Sequence, residues 1–191
     1  FLASAGNDYL TGGTGTDYIS YENAAAGVDV YISDGEAEVV GFGSDYLQRI
    51  EGCIGSDLDD SITAGTGGSV VQAGAGDDTV WGGSENAILR GDTGNDTIFG
   101  GSGSSTLEGG VGNDTLIGSS GNNLMIGDSG NDTITGGSAT DTLDYSDATS
   151  GVTVYLTTSS AQAVGGGMGS DVISNIEVLV GSDFNDTLTT N

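Results

Sequence analysis

Five aspartates, Asp60, Asp78, Asp96, Asp114 and Asp132, stand eighteen residues apart. Each closes a glycine-rich bend such as Gly91-Asp-Thr-Gly-Asn-Asp96. Glycine lets a tight bend turn its carbonyls inward, and the aspartate adds a charged oxygen. Oxygen donors in a flexible frame suit calcium, which takes about six to eight of them. Midway between these aspartates the same position reads Ser69, Ala87, Ser105 and Asn123, and then Asp141.

The frame that positions them is a nonapeptide. Residues 55–144 read as ten copies end to end, without insertion or deletion, of Gly-Gly-x-Gly-x-Asp-x-aliphatic-x. Gly109-Gly-Val-Gly-Asn-Asp-Thr-Leu-Ile117 and Gly127-Asp-Ser-Gly-Asn-Asp-Thr-Ile-Thr135 show the register. The eighth position is apolar throughout: Ile62, Val71, Val80, Leu89, Ile98, Leu107, Leu116, Met125, Ile134 and Leu143. The motif resembles the RTX (repeats-in-toxin) calcium-binding repeat. The resemblance implies an all-β fold, a right-handed parallel β-roll (β-solenoid) in which two nonapeptides make one turn. It also implies ions between stacked bends, with each Asp serving ions above and below.

Composition agrees with a cation binder. The net charge is −26, from 28 acidic residues against Arg49 and Arg90. That argues against nucleic acid or an anionic membrane as partner, since both need basic patches. No apolar run is long enough to span a membrane. There is no histidine, which removes His-based triads and His-ligated zinc, and the chain is read as non-enzymatic. Cys53 is the only cysteine, so no intrachain disulfide forms. One apolar side chain in nine residues is a thin core. An acidic chain of this kind is expected to fold only when calcium, bound by the folded form alone, supplies the missing free energy.

Taken in order, residues 3–20 hold two repeats, and residues 21–54 break the period with an insert. The ten-repeat block follows at 55–144, a second insert at 145–180, and a final repeat at 181–189. The first insert carries an alternating strand with Val28, Val30 and Ile32 on one face, and then an acidic loop at 33–40. The inserts match: Gly27-Val-Asp-Val-Tyr-Ile32 against Gly151-Val-Thr-Val-Tyr-Leu156, and Ile50-Glu51 against Ile176-Glu177. No boundary resembles a flexible linker. Residues 1–191 are therefore read as one continuous solenoid with two wider insert coils.

Metal ligation is expected at Asp60, Asp78, Asp96, Asp114 and Asp132, with roughly four ions in that row on the oxygen-ligand logic. The Ser69–Asn123 row is expected to be mostly empty, because neutral carbonyls repay calcium's dehydration poorly. Asp8, Asp17, Asp141 and Asp186 sit at insert junctions, where some are expected to bind on a side the sequence leaves open. Asp57-x-Asp59 is a poor EF-hand start, since Ile62 stands where that loop needs glycine.

The expected function is a calcium-stiffened rod in an extracellular fibre, surface layer or adhesin. The alternative is a non-catalytic accessory domain of a secreted enzyme or toxin. The resemblance implies bacterial export and a secreted or cell-surface location. Strand alternation should expose Trp81, Phe99 and Ile117 in register as an apolar stripe, a candidate surface for self-assembly.

Overall fold

The computed structural model describes residues 1–4, 6–32, 45–65 and 67–190. The acidic loop expected at 33–40 lies outside the described residues. The two opening repeats give β1 (Tyr9–Thr11) and β2 (Tyr18–Ser20), and the first insert gives β3 (Asp29–Tyr31), β4 (Tyr46–Gln48) and β5 (Gly52–Ile54). The ten-repeat block supplies β6 (Ser61–Thr63), β7 (Val70–Ala75), β8 (Thr79–Trp81), β9 (Ile88–Thr93) and β10 (Thr97–Phe99). It continues with β11 (Thr106–Val111), β12 (Thr115–Ser119), β13 (Leu124–Ser129), β14 (Thr133–Gly137) and β15 (Thr142–Asp144). The second insert contributes β16 (Thr153–Tyr155), β17 (Gln162–Ala163), β18 (Ser170–Ser174) and β19 (Val178–Val180), and the last repeat β20 (Thr187–Thr189).

In the repeats each strand begins at the seventh position, where alternation begins, and several run on into the first residues of the next repeat, as β7 and β11 do. Successive strands fall on opposite sides, so alternate repeats stack as parallel neighbours. One sheet runs β3-β6-β8-β10-β12-β14-β18-β17 and the other β2-β5-β7-β9-β11-β13-β15-β19. The architecture is all-β, a parallel β-roll. Registers keep the repeat phase, as in Thr79–Thr97–Thr115 and Val80–Ile98–Leu116. The ten eighth-position side chains are fully buried between the sheets. Positions seven and nine face out, and Arg90 Nε pairs with Glu108 Oε2 of the next turn at 2.7 Å.

The inserts are wider coils than the two-stranded turns of the repeats: the described residues of the first hold three strands and the second holds four. In the first, β5 stacks on both β2 and β7, while β4 stacks back on β1 and β3 stacks forward on β6. In the second, β19 and β18 stack back on β15 and β14, and β16 stacks forward on β20. One sheet therefore passes straight through the first insert and on into the second, while on the opposite side each insert ends one stack and begins the next. Val28, Val30 and Ile32 join the core as the alternation requires. The glycine-rich stretch at 165–169 closes the antiparallel pairing of β17 with β18.

Candidate metal centre

The bends carry the polar chemistry. In the first row the backbone N–H of each sixth-position residue donates to Oδ1 of the aspartate one turn on: Asp60 to Asp78, Asp78 to Asp96, Asp96 to Asp114 and Asp114 to Asp132, at 2.7–2.9 Å. The row is closed at one end by Val28 N–H on Asp60 and at the other by Asp132 N–H on Asp171. Fifth-position residues on the rim run the opposite way. Asn95 donates to Asp77, Asn113 to Asn95 and Asn131 to Asn113.

The second carboxylate oxygen is the informative one. Oδ2 of Asp78, Asp96, Asp114, Asp132 and Asp141 is buried and has no hydrogen-bond partner. A buried, unsatisfied carboxylate oxygen is costly, and each of these awaits a cation or a proton. Burial, first of all, lifts the carboxyls of Asp78, Asp96 and Asp132 to about 7, 6 and 8, and neighbouring carboxylates add to the effect. Asp114 is raised by burial as well.

Glycine at the first position makes room for that oxygen. A Cβ on Gly91 would collide with Oδ2 of Asp96 and lie 2.7 Å from the Gly109 carbonyl of the next turn. A Cβ on Gly109 or Gly127 would lie 2.5 Å from Oδ2 of Asp114 or Asp132. The space over Gly91 is thus lined by its own carboxylate and a carbonyl from the turn above, a hard-oxygen donor set of the calcium type. Among the described residues no three acidic or thiol side chains converge on one point. A cation here draws its ligands from one carboxylate per bend plus main-chain carbonyls. Because Oδ1 is engaged by the preceding turn, a single oxygen per Asp faces this space. That narrows the expectation that each Asp serves ions on both sides.

The second row is built differently. Two of its sixth-position side chains donate to their own bends: Ser105 Oγ to Gly100 O at 3.2 Å, and Asn123 Nδ2 to Gly118 O at 2.9 Å and Gly121 O at 2.6 Å, whereas Ser69 Oγ accepts from Gly65 N–H and Ala87 offers no polar atom. At Ser105 and Asn123 those carbonyls already have donors, so a neutral side chain occupies the place a cation would take.

The nine aspartates singled out in the sequence divide accordingly. Asp78, Asp96, Asp114 and Asp132 share the first row with Asp60, whose Oδ2 accepts from Ser56 N–H. Asp17 and Asp141 belong to the second row, where their N–H groups donate to Glu51 and Glu177. Asp8 stacks beneath Asp45, and Asp186 accepts from Val152 N–H. Asp8 is met by Ser4 Oγ, Asp17 by Gly13 N–H and Asp186 by Ser182 Oγ.

Sequence reasoning missed Asp45 and Asp171, the insert residues that continue these stacks. Both are buried, and each accepts a tyrosine hydroxyl, from Tyr21 at 3.2 Å and from Tyr145 at 2.7 Å. The matched Tyr21 and Tyr145 of the two inserts were the available signal. It also missed Asp92 and Asp128, second-position residues in the left-handed region, with φ of 71° and 64°. Burial raises both carboxyls, that of Asp128 to about 6.

Comparison with curated proteins gives no match to this chain. A family model described as the RTX calcium-binding nonapeptide repeat matches in four copies, over residues 1–23, 54–89, 90–125 and 117–147, more than half of the chain. With its repeat phase, its paired sheets and its oxygen-lined bends, the chain belongs to the RTX calcium-binding nonapeptide repeat family.

Proposed function

We propose that this calcium-binding module is an extracellular structural rod from a secreted bacterial protein, with no catalytic role, locked by ions along its first row. The observation that carries the reading is the line of buried, partnerless Oδ2 atoms on Asp78, Asp96, Asp114 and Asp132. Roughly four ions fill that row, one per orphaned oxygen, and hold the stack against its own charge. Binding that occurs only in the folded state is folding free energy. The low calcium of a bacterial cytosol would leave the chain unfolded until export.

The outer face supports assembly with copies of itself. Trp81 and Phe99 stack in parallel, 4° between planes and 6.0 Å between centroids, and Ile117 follows in register. Trp81 remains 37% exposed. An apolar stripe on so acidic a surface marks a contact. Electron microscopy in calcium and in chelator tests the reading, with Trp81→Ser/Phe99→Ser as the variant. Calcium-dependent filaments in the parent and dispersed, folded particles in the variant are expected. Dispersed particles for both would instead favour an accessory module of a larger secreted protein.

A further inference from the structure

The two inserts share a design, and one of the residues at which they differ, Arg49 in the first and Asn175 in the second, sits beside a second-row aspartate. In the first insert Arg49, at φ 57°, places its carbonyl over Gly12 next to Asp17 Oδ2. In the second, Asn175, at φ 54°, places its carbonyl over Gly136 next to Asp141 Oδ2. A Cβ on Gly136 would meet the Asn175 oxygen directly and lie 2.7 Å from Asp141 Oδ2. The two oxygens therefore line one space, as the Gly109 carbonyl and Asp96 do in the first row. Glu51 and Glu177 accept the N–H of Asp17 and of Asp141, each at 2.9 Å.

From there the junctions diverge. Asp17 is half-buried, and its Oδ2 accepts from Gly13 N–H at 2.6 Å. The Arg49 guanidinium donates to the Gly13 carbonyl, so this bend carries its own positive charge. Asp141 is fully buried. Its Oδ1 accepts from the backbone N–H and the side-chain amide of Asn123, and its Oδ2 has no donor. The only other arginine, Arg90, is paired with Glu108.

We propose that Asp141 Oδ2, the Asn175 carbonyl and Glu177 form a further calcium site, in the second row beyond its neutral stretch from Ser69 to Asn123, and that residue 49 or 175 of the insert decides whether the junction takes an ion. Asparagine leaves it open, and arginine fills it with a guanidinium. The site is asymmetric. One wall comes from a nonapeptide and the other from the insert, so an ion there ties the second insert to the repeat block. The inference rests on the calcium reading of the first row, and its failure is separable from the failure of that reading.

Native mass spectrometry of the full chain in calcium counts the ions directly. Asp141→Asn keeps an acceptor for the Asn123 N–H, and Asn175→Arg alters only an exposed residue. Each should carry one ion fewer than the parent, with an unchanged strand spectrum in calcium. Asp96→Asn, in the first row, should also lose one, and the Asp96→Asn/Asp141→Asn pair should lose two. If Asp141→Asn fails to fold, the Asn175→Arg count decides. An unchanged count in Asn175→Arg, or in a folded Asp141→Asn, overturns the inference while leaving the first row intact. A parent chain that carries no ion overturns the calcium reading itself.

Discussion

The hydroxyl of Tyr145 donates to Oδ2 of Asp171 at 2.7 Å, with both residues buried. The oxygen it meets is the counterpart of the one left without a partner on Asp132, one turn away. Burial, and then the charge of Asp171, push the phenol well above the usual tyrosine range, so it remains a donor at neutral pH. The tyrosine does for the insert what the cation is proposed to do for the repeats. Tyr145→Phe removes the donor and leaves a buried carboxylate oxygen unsatisfied, a loss of about 1–3 kcal/mol. Urea unfolding at saturating calcium should show it as a lower midpoint with an unchanged slope.

Asp96→Asn should act in opposite directions with and without metal. The amide keeps the acceptor for Asp78 N–H, and its NH2 can reach its own bend, as Asn123 reaches Gly118. Removing an unsatisfied buried charge should stabilise the metal-free fold by about 1–3 kcal/mol, and the calcium-loaded fold should weaken. Circular dichroism in chelator should therefore show more residual strand in the variant than in the parent, and a thermal melt in calcium a lower midpoint.

How much of this was legible in the sequence depended on periodicity. The eighth-position residues, from Ile62 to Leu143, announced a core because one aliphatic per nonapeptide, always in phase, can face only one way along a strand. The Asp60–Asp132 row was visible for the same reason. Asp45 and Asp171 were hidden, because the inserts break the phase and place them by stacking on β1 and β14 rather than by spacing. The side taken by Asp8, Asp17, Asp141 and Asp186 followed only once the strand pairing of the inserts was known. The neutral caps of the second row were read as missing ligands. The structure shows donors in place of two of them, the Ser105 hydroxyl on the Gly100 carbonyl and the Asn123 amide on the Gly118 carbonyl.

Proton uptake should mirror calcium. With Asp78, Asp96 and Asp132 lifted to about 7, 6 and 8, first by burial, the metal-free fold binds more protons than the unfolded chain, whose aspartates titrate near ~4. Its stability therefore falls as pH rises from about 4 to about 8 and levels off beyond. Calcium affinity should rise through the same window, with protons released on binding. Circular dichroism in chelator should show more strand at pH 5 than at pH 8.5, and an indicator dye should register protons on calcium addition at pH 6.5.

First-position glycine is predicted to set affinity in the first row. Gly91→Ala would force a methyl group against Asp96 Oδ2 and the Gly109 carbonyl, an overpacking cost of about 1–3 kcal/mol, with weaker calcium binding. Ala73 already carries a Cβ at this position in the repeat of Asp78. Ala73→Gly should accordingly tighten calcium binding, read by calorimetric titration against the parent.

The central claim is that the orphaned oxygens of Asp78, Asp96, Asp114 and Asp132 make calcium a condition of folding. Far-UV circular dichroism of the full chain at neutral pH, titrated with calcium from a chelated start, tests it most directly. The account predicts a cooperative appearance of the strand spectrum on calcium addition and its loss on renewed chelation. A strand spectrum already complete in chelator, and unmoved by calcium, would contradict it.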